Sequence, residues 1–254
     1  MIRLKTQKQI HDLREGGKRL AHILETIREN TKPGISLLSL DELAEQLIRK
    51  AGGEPAFKGY TPSAATKAYP NTLCTSVNDV AVHEHPTAYH LKDGDIVSID
   101  IGMRYNGLIT DMAITVPIGK RVTKRAYELI DTARRALEMG MSAAESGNTL
   151  GDIGYVIEQC VREARFKVLK ELTGHGVGFE LHEDPYVFNT GKPGTGMTLE
   201  TGLVIAIEPI IAEHTERIVQ RSDESFATAD GSLAAHFEHS LAITEKGPLL
   251  LTAL

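Results

Sequence analysis

The sequence predicts an α+β fold, because pairs of amphipathic helices alternate along the chain with blocks of antiparallel strands. Two helices are predicted before the first strands, and two more are predicted near residues 123–139 and 149–164. Between the helix pairs, Asn106-Gly107 separates two apolar runs, and Asn-Gly is the strongest short hairpin signal. The succession of helix, helix and strands occurs twice, which predicts duplicated halves related by a pseudo-twofold axis.

The first two predicted helices begin at residues that cap helix N-termini. Thr6 is followed three residues later by Gln9, which is the capping-box pattern. Ser39 and Glu42 have the same spacing, so the second helix is predicted to begin at Ser39 and to stop at the Gly-Gly pair after Ala51. Both helices carry apolar residues at helical spacing and therefore present one face to a core.

Length and composition predict a globular protein with one large domain or two small ones. The chain has 254 residues, 41% of them hydrophobic, which is enough to bury a substantial core. We expect one catalytic domain spanning residues 1–254. The net charge of −6 is spread without long runs of one sign, so the composition does not predict binding to DNA or RNA.

Cysteine usage and hydropathy predict the compartment. The two cysteines, Cys74 and Cys160, do not have the density of a disulfide framework, as expected in a reducing environment. No run approaches the roughly twenty apolar residues of a membrane span, and the N-terminus lacks a cleavable leader pattern. We therefore expect a soluble, cytoplasmic protein without membrane contact.

Three acidic residues, Asp100, Glu208 and Glu238, lie in apolar runs that are predicted to be strands. A lone ionised carboxylate in such a run is strongly disfavoured unless a positive group meets it. A metal site meets this need for all three, although a buried arginine would suffice for Glu208. Pro209 holds Glu208 in an extended conformation at a strand end.

A two-residue turn at Asn106-Gly107 determines how the two flanking strands pair. Gly102 is then opposite Asp111, and Asp100 and Asp111 are diagonal neighbours on one face, roughly 7–8 Å apart at the backbone. That separation suits two metal ions about 3.5–4 Å apart. The alternative for Asp111 is a solvent-facing position at the strand end.

Two histidines, His175 and His182, flank a glycine-rich segment. Their spacing differs from that of a helical zinc motif, and on a regular strand it turns the two rings to opposite faces. A bend at Gly176 or Gly178 is needed to direct both rings at one cleft. The glycines favour a ligand role for His175 over the alternative of an ordinary hydrogen-bonded histidine.

Four carboxylates and one imidazole are hard ligands that suit a pair of divalent first-row metal ions with open coordination positions. Such a pair lowers the pKa of a bridging water and stabilises the oxyanion of an attacked carbonyl. These residues therefore predict metal-assisted hydrolysis.

Motifs spanning most of the chain resemble those of the type I methionine aminopeptidases. The similar segments are Ser76 to His83, Asp93 to Asp100, Thr110-Asp111, Gly174 to Gly178, His182 to Pro185, Ile207 to Pro209 and Phe237 to His239. The resemblance implies the pita-bread fold, with duplicated halves around a curved antiparallel sheet. It also implies hydrolytic removal of the N-terminal methionine from nascent polypeptides, with a preference for a small second residue.

The resemblance implies two divalent metal ions, of Co, Mn, Fe, Zn or Ni, with a hydroxide that bridges them. The ligands carried over by position are Asp100, Asp111, His175, Glu208 and Glu238. Among them, Asp111 and Glu238 occupy bridging positions, and Asp100 binds through both of its oxygens.

The resemblance also implies roles in catalysis. Glu208 moves a proton from the attacking water towards the leaving amine. His182 stabilises the charge that develops on the scissile carbonyl, and His83 contacts the substrate amide and the departing nitrogen. The implied partners are the N-terminal peptides of nascent proteins, with a transient ribosome contact, and the family resemblance implies a monomer.

The resemblance implies a soft apolar pocket for the methionine side chain. Its walls are Tyr69 and Cys74, with Phe57, Tyr60 and Leu181 as further candidates. A packed core position is the alternative for Cys74.

Three features depart from the family pattern. The chain has no tryptophan, whereas the family has one near the segment that corresponds to Glu224–Phe226. The Tyr60–Tyr69 segment is longer than in the best-known bacterial members, and His236 replaces a glutamine two residues before the last glutamate ligand. These departures concern pocket shape and turnover rate rather than reaction class.

Two rival functions remain at this point. A proline-directed aminopeptidase or dipeptidase shares the fold and similar ligands, although those enzymes carry an additional N-terminal domain and only 99 residues precede Asp100 here. A non-catalytic pita-bread module that binds a protein partner is the second rival. Carboxylates within apolar strands argue against a pure binding surface.

Overall fold

The computed structural model describes residues 2–61 and 67–254. This part of the chain contains four α-helices, namely α1 (Gln7–Asn30), α2 (Leu37–Lys50), α3 (Lys124–Ala143) and α4 (Leu150–Glu163). They form the two predicted pairs, although α3 extends beyond its predicted end near Met139. The predicted lengthening of the Tyr60–Tyr69 segment falls on residues 62–66, which lie outside the described residues.

The helix caps confirm one sequence prediction and correct another. Thr6 caps α1 through the predicted box with Gln9. The predicted start of α2 at Ser39 is wrong, because the N-cap is Ser36, whose Oγ accepts a hydrogen bond from the Ser39 N–H at 3.1 Å. The earlier start buries Leu37 in the core, which a start at Ser39 would leave outside the helix.

The same described residues form fifteen β-strands. They are β1 (Glu54–Pro55), β2 (Leu73–Val77), β3 (Val80–Val82), β4 (Ile96–Tyr105), β5 (Leu108–Pro117), β6 (Lys167–Val168), β7 (Thr173–Gly176), β8 (Glu183–Phe188), β9 (Val204–Ile207), β10 (Ile210–Ala212), β11 (Ile218–Gln220), β12 (Phe226–Thr228), β13 (Ala234–His236), β14 (Glu238–Thr244) and β15 (Gly247–Leu250).

Within the described residues, nine strands form one antiparallel sheet in the order β1-β4-β5-β14-β9-β7-β8, with β2 paired to β4 and β15 to β14. Smaller sheets have the orders β13-β10-β6 and β11-β12-β3. Strand β14, from the end of the chain, lies between β5 of the first half and β9 of the second half. The two halves are therefore joined at the middle of the large sheet.

Side chains of the large sheet alternate between two faces, as the period of a strand requires. On β4, Val97, Ile99 and Ile101 pack in one core with residues of α1 and α2, whereas Asp100 points to the opposite face. The residues of β9 and β14 that pack with α3 and α4 are Ile205, Ile207, Leu241 and Ile243. Both helix pairs thus cover one face, and the acidic residues occupy the other.

Of the helices in residues 2–61 and 67–254, none combines the length and the apolar character needed to cross a lipid bilayer.

Candidate metal centre and active site

The hairpin of β4 and β5 has the register that the Asn-Gly turn predicts. Gly102 pairs with Asp111, and Asp100 pairs with Ala113. Both turn residues have positive φ, as a type I′ turn requires. Asp111 is only 3% exposed, so the alternative of a solvent-facing position is wrong for this residue.

Strand β14 brings another acid to this face. Glu238 pairs with Ala113, which is itself opposite Asp100. Two residues further along β14, the Ser240 Oγ accepts a hydrogen bond from the Asp111 N–H at 2.9 Å, and the Ser240 hydroxyl donates to the Asp111 carbonyl at 2.8 Å. These two hydrogen bonds between β5 and β14 hold Asp111 beside Glu238.

Strand β7 carries His175 to the same face from the second half. His175 pairs with Ala206 of the central strand β9. The register against β8 shifts between His175 and Gly176, and Gly178 has a φ of 135°. This irregular backbone is the bend that the sequence requires, and it brings the ring centroids of His175 and His182 to 4.5 Å from each other.

Glu208 immediately follows β9 and is 8% exposed. Its Oε1 lies 3.6 Å from His175 Nε2, which is also 3.8 Å from Glu238 Oε1. On the other side of Glu208, Oε2 lies 3.2 Å from His236 Nε2. Across the described part of the chain, imidazoles rather than an arginine face Glu208, which removes the alternative of an arginine partner.

The potential ligand atoms converge in two overlapping groups, each with all its atoms within 4.8 Å of one another. One group contains Asp111, His175 and Glu238, and the other contains Glu208, His236 and Glu238. Several atoms here are buried and have no hydrogen-bond partner among the described residues, namely Asp100 Oδ1, Asp111 Oδ1, Glu238 Oε1 and His236 Nε2. Buried polar atoms are nearly always satisfied, so these atoms fit cations as their partners.

The electrostatics of the acidic residues also favour bound cations. Burial, and then the charges of Asp111 and Glu208, raise the pKa of Asp100 well above its usual value. Burial raises the pKa of Glu238 in the same manner, followed by repulsion from the charges of Asp111, Glu208 and Asp100. Carboxylates that repel one another in a buried site are stabilised by divalent cations, because a cation offsets both the repulsion and the lost hydration.

The tautomer of His175 suits a metal ligand. Its Nδ1 lies 2.9 Å from the carbonyl oxygen of Gly176, and a carbonyl only accepts, so Nδ1 carries the proton. The lone pair of Nε2 is therefore directed at Glu208 and Glu238. A backbone hydrogen bond on the far ring nitrogen is the usual arrangement for a histidine that binds a metal.

Two other histidines line the cleft outside these groups. His182 is exposed, and its Nδ1 lies 2.8 Å from the hydroxyl of Tyr60. His83 is also exposed, with a φ of 64°, a left-handed conformation that is uncommon outside glycine. The ring of His83 lies 6.0 Å from that of Phe226, which belongs to the segment where the family pattern has tryptophan.

The residues expected to form the methionine pocket belong to one hydrophobic cluster, which contains Phe57, Tyr60, Tyr69, Cys74 and Leu181. Cys74 of β2 pairs with Asp100 of β4, so the cluster borders the acidic group. Phe57 and Tyr69 meet edge to face with centroids 6.5 Å apart.

The structure adds three residues to the site that the sequence does not assign there. From the sequence, Tyr60 is expected only as a wall of the pocket, and neither His236 nor Ser240 is expected to contribute to the site. His236, Glu238 and Ser240 follow one another at two-residue intervals, which is the spacing of one strand face. That spacing is the signal that points to His236 and Ser240, whereas no local pattern connects Tyr60 with His182.

Comparisons with known proteins agree with this geometry. The model of metallopeptidase family M24 matches residues 11–245. The methionine aminopeptidase of Clostridium perfringens is 40% identical over 255 residues, which cover 100% of each chain. The crystal structure of methionine aminopeptidase from Thermotoga maritima matches with a TM-score of 0.95 and 39% identity, also over 100% of each chain.

A likeness to proline-directed enzymes is limited to the fold. The prolidase of Pyrococcus furiosus matches with a TM-score of 0.78 at 21% identity, over 99% of this chain and 65% of that chain. The pita-bread fold is thereby confirmed, and the full-length similarity separates this protein from the prolidases. The chain therefore belongs to metallopeptidase family M24 and, within that family, to the methionine aminopeptidases.

Proposed function

We propose that this protein hydrolyses the peptide bond after the N-terminal methionine of nascent polypeptides, using two divalent metal ions held by Asp100, Asp111, His175, Glu208 and Glu238. The observation that carries the proposal is the convergence of acidic and imidazole ligand atoms on one face of the sheet in two overlapping groups of three, each with its atoms within 4.8 Å of one another. Asp100 lies outside these groups, opposite Ala113, which also pairs with Glu238. Membership in family M24 supports divalent metal ions as the group that these atoms bind.

When bound, a pair of divalent cations supplies Lewis acidity and lowers the pKa of water, which makes hydroxide accessible near neutral pH. Glu208 is the general base in this proposal. In the metal-free protein, burial raises the pKa of Glu208 to about 7. With divalent cations bound, this pKa would be lower, so that Glu208 would be ionised and able to accept a proton near neutral pH. Glu208 takes the proton of the attacking water on a carboxylate oxygen and delivers it to the leaving amine.

His182 stabilises the developing charge on the scissile carbonyl. If the hydroxyl of Tyr60 donates its hydrogen bond to Nδ1 of His182, the ring proton resides on Nε2. Nε2 then donates to the carbonyl oxygen as negative charge develops there. His83, on the Phe226 side of the cleft, contacts the substrate amide and the departing nitrogen.

The substrate methionine enters the cluster of Phe57, Tyr69 and Cys74, with Tyr60 and Leu181 as further walls. The free amine binds beside the acidic group, which the pairing of Cys74 with Asp100 brings next to the cluster. Apolar and aromatic walls suit a thioether side chain. In this proposal the substrate has a small second residue.

The remaining features of the proposal concern the whole protein. Residues 1–254 act as one catalytic domain and as a monomer, in the cytoplasm and in transient contact with the ribosome. Ions of manganese, iron, cobalt, nickel or zinc all accept oxygen and imidazole ligands.

The test is release of free methionine from the peptides Met-Ala-Ser and Met-Leu-Ser by metal-stripped protein, with and without added manganese or cobalt. We expect metal-dependent release from Met-Ala-Ser and little from Met-Leu-Ser. An Ala-Pro peptide is included to detect proline-directed cleavage. Absence of methionine release with every metal, from folded protein, would contradict the proposal.

A further inference from the structure

His236 lies in the centre of the site although the family pattern gives it no function. It is the last residue of β13 and is 2% exposed. The backbone around it is fixed by Thr115, whose hydroxyl accepts from the His236 N–H at 2.9 Å and donates to the His236 carbonyl at 2.8 Å. The ring therefore projects into the site from a rigid strand.

The ring nitrogen Nε2 of His236 faces both glutamates. It lies 3.2 Å from Glu208 Oε2 and 3.9 Å from Glu238 Oε2. It nevertheless has no hydrogen-bond partner among the described residues, since Glu238 Oε2 is too distant and no hydrogen bond forms with Glu208 Oε2. A buried nitrogen that meets two carboxylates without bonding to either is positioned like a ligand of a shared cation.

His175 has the mirror arrangement on the other side of the same glutamates. Its Nε2 lies 3.6 Å from Glu208 Oε1 and 3.8 Å from Glu238 Oε1. Each imidazole thus faces one oxygen of each carboxylate, His175 the Oε1 pair and His236 the Oε2 pair. Two atoms that each bind one ion at about 2.0–2.2 Å lie roughly 3–4 Å apart, which all four distances satisfy.

We propose that His236 is a direct metal ligand through Nε2, so that the two imidazoles bind on opposite sides of the glutamate pair. This inference rests on the proposed function, since it assumes that the acidic group holds two divalent ions. A second nitrogen ligand makes the site softer, which favours cobalt, nickel and zinc over manganese.

The simplest rival role is a hydrogen bond from the ring to Glu208, which would orient the carboxylate without touching a metal. Both roles predict weaker metal binding when the ring is lost, because a hydrogen-bond partner of a metal ligand also supports metal affinity. The roles differ in whether His236 Nε2 is itself bonded to an ion, which the position of the ions in a metal-loaded crystal structure decides.

The first experiment is calorimetric titration of metal-stripped protein with Co²⁺, for the wild type and for His236→Gln. We expect two bound ions in the wild type and at least tenfold weaker binding of one ion in the variant, and unchanged binding of both ions would overturn the inference. His182→Gln is the matched control, because it changes another imidazole of the cleft that no proposed step assigns to a metal. The control should bind both ions as tightly as the wild type.

The second experiment is the crystal structure of the cobalt-loaded wild type, with the ions located by anomalous scattering, and it does not depend on the variant folding. An ion at about 2.0–2.2 Å from His236 Nε2 supports the inference. Two bound ions with His236 Nε2 more than about 3 Å from both would overturn it while leaving the proposed function intact. Failure of the wild type to bind cobalt would contradict the proposed function and, with it, this inference.

Discussion

The hydroxyl of Tyr60 lies 2.8 Å from Nδ1 of His182, although 122 positions separate the two residues in the sequence. Their rings also meet edge to face, with centroids 5.2 Å apart. Tyr60 follows the segment that carries Phe57, and His182 lies in the loop before β8. The contact thus connects the apolar cluster to the histidine that is proposed to stabilise the substrate carbonyl.

Tyr60→Phe should therefore lower kcat by about five- to tenfold while KM changes little. The change removes one hydrogen bond, worth about 1 kcal/mol, that selects the tautomer of His182. The measurement is kcat and KM on Met-Ala-Ser across pH. Tyr127→Phe, on the exposed face of α3, is the control and should behave as the wild type. An unaltered kcat and pH profile in Tyr60→Phe would show that the contact does not position His182.

His182→Ala should lower kcat by about 10²- to 10³-fold, the usual cost of removing one donor to a developing oxyanion. Metal content, measured by elemental analysis after dialysis, should remain that of the wild type, because His182 is proposed to donate to the carbonyl and not to bind metal. His182→Gln keeps a donor and should recover part of the rate. Loss of metal from His182→Ala would refute the assignment.

Asp111→Asn should release at least one of the two ions, because an amide supplies neither the charge nor the two oxygens of a bridging carboxylate. Metal per chain is measured by elemental analysis. Asp131→Asn, which changes a half-exposed carboxylate on α3, is the control and should retain both ions. Two tightly bound ions in Asp111→Asn would exclude a bridging role.

The metal-free protein should lose stability as the pH rises from 6.5 to 8. Burial raises the pKa of Asp111 to about 8 and that of Glu208 to about 7, whereas both are near 4 in the unfolded chain. In this interval the folded state holds protons that the unfolded state has released, so these two groups lower the free energy of unfolding by about 2 kcal/mol. Asp100 and Glu238, whose pKa values burial also raises well above the usual range, add to the fall.

The histidines oppose part of this fall. Desolvation lowers the pKa of His236 to about 3, those of His83 and His239 to about 4 and that of His182 to about 2, whereas imidazoles of the unfolded chain titrate near 6.5. The unfolded chain releases the rest of these protons between pH 6.5 and 8, which offsets the fall by about 0.4 kcal/mol for each histidine. Urea unfolding of metal-stripped protein at the two pH values measures the effect. With cobalt present the trend should reverse, because metal binding requires the deprotonated carboxylates. A metal-free protein that becomes more stable towards pH 8 would contradict the electrostatic account.

Local sequence signals predict much of the fold and part of the site. The turn at Asn106-Gly107 specifies the register of β4 against β5, which puts Asp100 and Asp111 on one face, as the structure has them. The glycines after His175 indicate the bend that turns His182 towards it. In each case the governing interaction lies within a few residues along the chain, so the pattern is readable.

Where two local signals compete, the tertiary structure decides. Ser36 and Ser39 are both suitable caps for α2, and the burial of Leu37 selects the earlier one. The two-residue spacing puts His236 on the same strand face as Glu238. The contacts of His236 with Glu208 and of Tyr60 with His182 join segments that are distant in sequence, and no periodicity encodes them.

The sequence by itself determined the α+β class, the hairpin and the acidic residues that require a positive partner, because strand period, turn chemistry and the cost of a buried charge all act locally. Only the tertiary structure decided which side chains meet. Strand β14 inserts between β5 and β9 and thereby brings Glu238 to Asp111 and His175. The pairing of strands from the two halves depends on the packing of the whole sheet, which no single segment of the sequence specifies.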